Sequence, residues 1–533
     1  MAIERWSPRQ ELSKQETAII KRMARVRKFL AFLRRHRHVL IDDSFQDELE
    51  AMYRDTGAGK DPVAPGLMAM ATLVQGYLGA SDATLVELTV IDLSVQMVLD
   101  VLGSAEPAFS QGAFSDFRAR FIGADMDRRL LERTVEIARR TKEFDWRKLS
   151  SMLRVAIDSK PLEGAGRVED TFNLLGHAAR KVVNCAAQLL GWPEAKVCRA
   201  AGIPLLLEPS IKAGLDLDWN DAAEKAEAIK ILTVQLDSLQ KWLGEHLSNE
   251  LRKPPLKVHV ETLEQIRSQD LEPDPSGGGV RIRDGVAEDR RVSIEDPEMR
   301  HGRKSKTKRF NGYKQHIAAD IDRDLILACA VTPANRPEEE ATPALKADID
   351  RQNREIDELF IDRAYVNSTI VDDVLARKGK IICKPWHSKN KKLFPKSAFK
   401  LDLRVRSITC PAGQMIHFEL GTSAEFDPDV CDHCPLRAQC TTAELGQGRS
   451  VSIAENEQLQ QRLRKQLATP TGRDQLRKRT HIEHRLAHIA RRQGRRARYV
   501  GTRKNNFDLR RAAVIQNIEA WQRRIEPPKR KVA

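Results

Sequence analysis

Residues 153–160 read LRVAIDSK, a short apolar run with β-branched residues that interrupts a long helical text and reaches an acidic residue. Such a run reads as a buried strand, with Asp158 where the strand should leave the core. The pattern returns at residues 357–365, DELFIDRAY, where Leu359, Phe360 and Ile361 precede Asp362. A third acidic residue, Glu483 in RKRTHIEHRLAHI (477–489), adjoins a helical stripe of Ile482, Leu486 and Ile489. Carboxylates leaving buried elements at one rim of a fold are rigid oxygen donors. Phosphoryl transfer with two divalent ions about 3.5–4 Å apart requires such donors. Taken singly, each residue has a plainer reading: an Asp after a strand is a common turn residue, and a helical Glu is usually solvated.

Between the two aspartates, GYKQHIAADID and DLILACAVTPA read as strands joined at Asp322–Asp324 like a hairpin. A helix, PEEEATPALKADIDRQ, leads into the second aspartate's strand, and the helix TIVDDVLARKG and the strand KIICKPW follow. This order predicts a mixed sheet covered by helices. Residues 1–145 read as helix after helix, including AIIKRMARVRKFLAFLRRH and a run DATLVELTVIDLSVQMVLDVL capped by Ser81. Phe114, Phe117 and Phe121 form one buried helical stripe. Residues 146–400 hold the first part of the sheet with a helical insertion over about 165–300, in which 269–298 reads as a loop rich in Pro, Gly and charge. Residues 401–450 form a small cysteine-rich insertion, and 451–533 a basic helical end.

Lys and Arg number 90 against 75 Asp and Glu, and residues 471–533 alone carry 19 against five. A basic terminal segment points to a polyanion, DNA or RNA before membrane. No apolar run approaches the roughly 18–20 residues that span a bilayer, and MAIERWSPRQ lacks a signal-peptide core. A cytoplasmic, nucleoid-associated protein is expected. Walker-type and GxGxxG phosphate loops are absent.

Cys410, Cys431, Cys434 and Cys440, in CPAGQ and CDHCPLRAQC, are the complement of a four-thiolate structural zinc site, with His417 and His433 as substitute ligands. Free thiols without metal are the alternative. Cys185, Cys198, Cys329 and Cys383 stand singly in apolar contexts and read as core residues. His481, His484 and His488 share one helical face beside Glu483 and read as a polar, DNA-facing surface before a histidine zinc site. HGRKSKTKRFNGYK (301–314) interleaves Lys304, Lys306 and Lys308 with Phe310 and Tyr313, suiting either a phosphate track with an aromatic for stacking or an exposed loop.

The stretches VAIDSKPLEG, FNGYKQHIAADIDRDLILACAVTPAN, LFIDRAYVNS, the cysteine segment, RTHIEHRLAHIARRQGRRARYVG, DPVAPGLMAMATLVQGYLGASD and FSDFRARF follow one another in a recognisable order. In that order and spacing the chain resembles bacterial insertion-sequence transposases of the DDE superfamily, most closely the group named for insertion sequence eleven-eighty-two. The resemblance implies an α/β ribonuclease-H-like core in which Asp158, Asp362 and Glu483 are catalytic ligands of two Mg²⁺ or Mn²⁺ ions. It also implies cleavage of double-stranded DNA at transposon terminal inverted repeats and joining of the freed 3′-hydroxyl to target DNA, with a homodimer on DNA. Arg479 matches an Arg that the wider superfamily often places there and reads as either a phosphate contact or a partner in a surface ion pair; Arg491, Arg492, Arg495 and Arg496 extend that DNA-binding basic face. Leu476 and Ala490 depart from the wider pattern, which often carries Tyr and Lys there. An inactive, transposase-derived DNA-binding protein and another ribonuclease-H-like nuclease are the rival readings.

Overall fold

The computed structural model describes residues 3–23, 27–53, 61–144, 152–215, 217–275, 277, 279–305, 307–386, 390 and 392–527. Its centre is a mixed six-stranded sheet. We label the strands β1 (Leu153–Glu163), β2 (Arg300–Arg303), β3 (Arg309–Asp320), β4 (Leu325–Pro333), β5 (Ile356–Phe360) and β6 (Lys380–Ile382). β3 is antiparallel to β1 along one edge, and its other edge is shared by β2 and β4; β5 lies parallel to β1, and β6 parallel to β5. β3 is buried almost throughout, as a central strand covered on both faces must be. Gly312 lets β3 pass close to β1: its φ is 149°, and a Cβ there would lie 2.2 Å from the Leu162 carbonyl oxygen.

The C-terminal helix Thr502–Ile525 packs on β4 and on two N-terminal helices, Met126–Arg140 and Pro65–Leu78. It is apolar on more than one side, so nearly every residue from Phe507 to Ile518 is buried. Several of its buried polar groups are paired across the core. Arg510 bonds to Asp127 (3.2 Å) and Asp348 (3.3 Å), and Asn517 takes both backbone groups of Ile326 (2.8 and 2.9 Å). One continuous core therefore runs from Phe29 and Phe117 through the sheet to Trp521.

Residues 171–270 form helices around a second core that includes Leu175, Leu236 and Ile266. A third, small core of Phe399, Ile408, Phe418, Phe426 and Val451 underlies two short sheets within 400–452. No helix among the described residues is long and apolar enough to cross a membrane.

Two local expectations are corrected. The run after Ser81 is two helices, Asp82–Ile91 and Leu93–Leu99, because Asp92 turns its carboxylate onto the N–H groups of Ser94 (2.8 Å) and Val95 (3.2 Å) and starts the helix afresh. AIIKRMARVRKFLAFLRRH likewise spans two helices, Lys14–Arg22 and Lys28–Leu40. The 269–298 segment is a loop over most of its described residues, as read, and is fastened at three places: Leu271–Pro273 pairs with Val280–Ile282, Arg290 bonds to Asp270 (2.6 Å), and Gln269 exchanges two hydrogen bonds of 2.9 Å with the Arg291 backbone.

Candidate active site

β1 and β5 pair in parallel through Val155–Leu359 and Ala156–Phe360, and then β5 ends. Two residues further along each chain stand Asp158 and Asp362, so register alone brings them to neighbouring positions at the rim. Asp158 does not end its strand, contrary to the sequence reading: β1 continues to Glu163 because its antiparallel pairing with β3 persists after the partnership with β5 has stopped. The rim is made by the shorter strand.

Each aspartate is braced by the next residue in the chain. Asp158 Oδ1 accepts from the Ser159 N–H (2.8 Å), and Asp362 Oδ1 accepts from the Arg363 N–H (2.8 Å) as the cap of the turn Arg363–Tyr365. Glu483 lies in the first turn of the helix Thr480–Gln493, whose buried Ile482, Leu486 and Ile489 seat it beside β1. The segment after that helix returns to the strand: the Glu163 N–H donates to the Arg495 carbonyl (2.9 Å), and the Ala497 N–H to the Glu163 carbonyl (2.6 Å). The helix is thus fastened along β1 beyond its last turn.

Burial pushes the Asp158 carboxyl above the ordinary carboxylate value. Arg479 and the Ser159 N–H oppose that shift, and the negative charges of Asp362 and Glu483 add to it. Arg479 places its guanidinium 3.5 Å from Asp158 Oδ2 and 3.2 Å from Glu483 Oε1. Among the described residues, no three His, Cys, Asp or Glu side chains are arranged to hold a metal ion. The donor set nevertheless fits Mg²⁺ or Mn²⁺: it is all carboxylate oxygen, it is crowded with like charge, and a protein cation already bridges two of its members.

The remaining basic candidates divide. Arg491, Arg495 and Arg496 are exposed, with Arg496 also donating to the Ala165 carbonyl (2.9 Å), whereas Arg492 is engaged with Glu519 (2.7 Å). Lys304 and Lys308 are exposed in the turn between β2 and β3, and Lys306 lies outside the described residues. Phe310 and Tyr313 are not available for stacking: both are buried, and the Tyr313 hydroxyl bonds to Asp296 while accepting from the Gly501 N–H (3.1 Å). His481, His484 and His488 are exposed on one side of their helix.

Cys410, Cys431, Cys434 and Cys440 converge on one cavity of about 310 Å³ that Phe394 and Phe426 also line. Burial raises the Cys440 thiol, and the proximity of the other three adds to that effect. Cys185, Cys198, Cys329 and Cys383 are buried singly.

Sequence reasoning missed a linked polar group of the buried Tyr365 and His316 with the half-buried Ser159. The signal was a His directly before the apolar Ile317, Ala318 and Ala319 and a Tyr three residues after Asp362.

Two family models match the chain: a transposase DDE domain over residues 409–521 and a transposase domain (DUF772) over residues 22–120. The first contains Glu483 and the four clustered cysteines; the second covers helices that share the core with the sheet. No curated protein and no solved structure matches it. A DDE domain is a ribonuclease-H-like fold, in keeping with the mixed sheet described above, and its members act on DNA with divalent metals. Together the two matches, over residues 22–120 and 409–521, indicate a DDE transposase of a bacterial insertion sequence.

Proposed function

We propose that this transposase cleaves double-stranded DNA at transposon ends and joins the freed 3′-hydroxyl to target DNA, with Asp158, Asp362 and Glu483 as its catalytic carboxylates. The observation that carries this reading is the register of β1 and β5, which brings Asp158 and Asp362 side by side where Glu483 enters from the helix. Asp158, Asp362 and Glu483 would hold two Mg²⁺ or Mn²⁺ ions, which when bound supply charge neutralisation and activation of the attacking oxygen. The carboxylates would hold the ions against which the scissile phosphate lies, and Arg479 would supply a phosphate contact once it leaves the carboxylates. Water attacks phosphorus first and the 3′-oxygen leaves as a hydroxyl; that hydroxyl then attacks a target phosphodiester and displaces the target's own 3′-oxygen. Each step exchanges one P–O bond for another, so no nucleotide cofactor is required.

The exposed Arg491, Arg495, Lys304 and Lys308 would contact the DNA backbone. The helices of residues 1–145 would hold transposon ends, and synapsis of two ends favours a homodimer on DNA in the cytoplasm. The order of motifs favours the group named for insertion sequence eleven-eighty-two. The four converging cysteines would bind one structural Zn²⁺, since thiolates lining one pocket of a small module suit that ion.

Incubating the full chain with DNA bearing the element's own ends tests the reading. Nicking and strand transfer should require Mg²⁺ or Mn²⁺ and vanish in Asp362→Asn. Stable DNA binding with no cleavage under either ion would favour the inactive DNA-binding alternative instead.

A further inference from the structure

We infer that Tyr365 is a positioning residue for the divalent-metal site: its buried hydroxyl ties the turn carrying Asp362 to the strand carrying Asp158, where backbone pairing no longer does so. The inference rests on the assignment of those two aspartates as metal ligands.

Parallel hydrogen bonding between β1 and β5 stops at Ala156–Phe360, two residues short of the carboxylates. Beyond that point a chain of side chains crosses the gap. The Tyr365 hydroxyl is 2.8 Å from His316 Nδ1, and His316 Nε2 is 3.0 Å from Thr332 Oγ1. The Ser159 side chain is the phenol's other partner. Ser159 and His316 are directly opposite each other on β1 and β3, so they share a sheet face, while Asp158 projects from the other. Four segments are thereby linked through β4, β3, the turn after β5, and β1.

Two of those segments bear the aspartates. Ser159 follows Asp158 and donates its N–H to that carboxylate (2.8 Å). Tyr365 closes the turn that Asp362 opens, its N–H donating to the Asp362 carbonyl (3.1 Å). Tyr365 and His316 are fully buried, so a missing partner cannot be replaced by bulk water. Burial pushes the His316 imidazole down to about 3, which keeps it neutral. A neutral ring donates from one nitrogen and accepts at the other, so it links Thr332 and Tyr365 in either tautomer, with the direction of both hydrogen bonds reversed between the two.

The test is Mn²⁺ binding by the full-length protein, read from the electron paramagnetic resonance signal of free Mn²⁺ near neutral pH, with thermal unfolding recorded in parallel. Tyr365→Phe keeps the ring and its packing and should weaken Mn²⁺ binding by about 10-fold or more, the usual loss when a residue supporting a metal ligand is removed. Thr332→Val, at the far end of the chain, should cause a smaller loss in the same direction. Wild-type Mn²⁺ affinity in Tyr365→Phe overturns the inference; if that variant does not fold, wild-type affinity in Thr332→Val does so. Asp158→Asn separates the two levels. If it binds Mn²⁺ as tightly as the unaltered protein, or if the unaltered protein binds none, the metal assignment itself fails and takes the inference with it.

Discussion

Arg479 reaches Asp158 across the rim of the sheet, its guanidinium 3.5 Å from Oδ2, and touches Glu483 at 3.2 Å from the same side chain. The cation sits one helical turn before Glu483, so the helix that delivers the acid also delivers its counter-charge. A metal ion entering the site competes with that guanidinium, and a DNA phosphate can draw it away.

Arg479→Gln should therefore separate two effects. Mn²⁺ binding to the DNA-free protein should tighten, because the tethered competitor is gone. DNA binding should weaken, and its dependence on salt concentration should fall by about one counterion. Binding titrations across a salt series measure both; an unchanged salt slope would remove Arg479 from the DNA interface.

Metal analysis of the purified protein should find zinc near one ion per chain. Cys431→Ser or Cys434→Ser should lose it and unfold the 400–452 module at lower temperature. Zinc near zero with that module intact would assign the cysteines as free thiols.

His316 should make stability fall in mild acid. Its folded value, lowered to about 3 by burial, lies below the ordinary 6.5, so the unfolded state takes up a proton that the folded state refuses. The stability it contributes is complete above pH 6.5 and is lost as pH drops toward 3, with a slope approaching about 1.4 kcal/mol per pH unit. His36, lowered to about 4 mainly by burial, titrates in the same window. The difference between the unaltered protein and His316→Gln in denaturant melts across that window isolates the first. Parallel pH slopes for the two proteins would show that His316 is not the group responsible.

Asn517→Ala should destabilise the fold by about 2–4 kcal/mol, since it strands the buried N–H and C=O of Ile326 and the bond to Thr134 (2.9 Å). Chemical denaturation reads the loss. A change below about 0.5 kcal/mol would mean that the C-terminal helix is not anchored there.

The strands around Asp362 were legible because Leu359, Phe360 and Ile361 form an apolar run closed by a polar turn, a signal local in sequence. The extent of β1 was not, because nothing in SKPLE announces that it pairs with β3, whose residues lie about 150 positions away. Of the two readings left open for the basic turn between β2 and β3, the stacking aromatic is the one the structure removes: the partner that buries Tyr313 is Asp296, from a loop whose composition gives no hint of burial. Glu483 followed from its helical stripe and from resemblance, but its ion pair with Arg479 was visible only as spacing. The chain from Thr332 to Ser159 joins residues with no sequence relation, so only the assembled sheet displays it.

The central claim is that Asp158 belongs to the carboxylate set that performs DNA cleavage. The direct measurement compares the unaltered chain with Asp158→Ala on DNA carrying the element's ends, scoring binding by mobility shift and cleavage by the appearance of free 3′-hydroxyl strands with Mg²⁺ or Mn²⁺. Retained binding with cleavage abolished is the predicted result; cleavage by Asp158→Ala at the unaltered rate would contradict it.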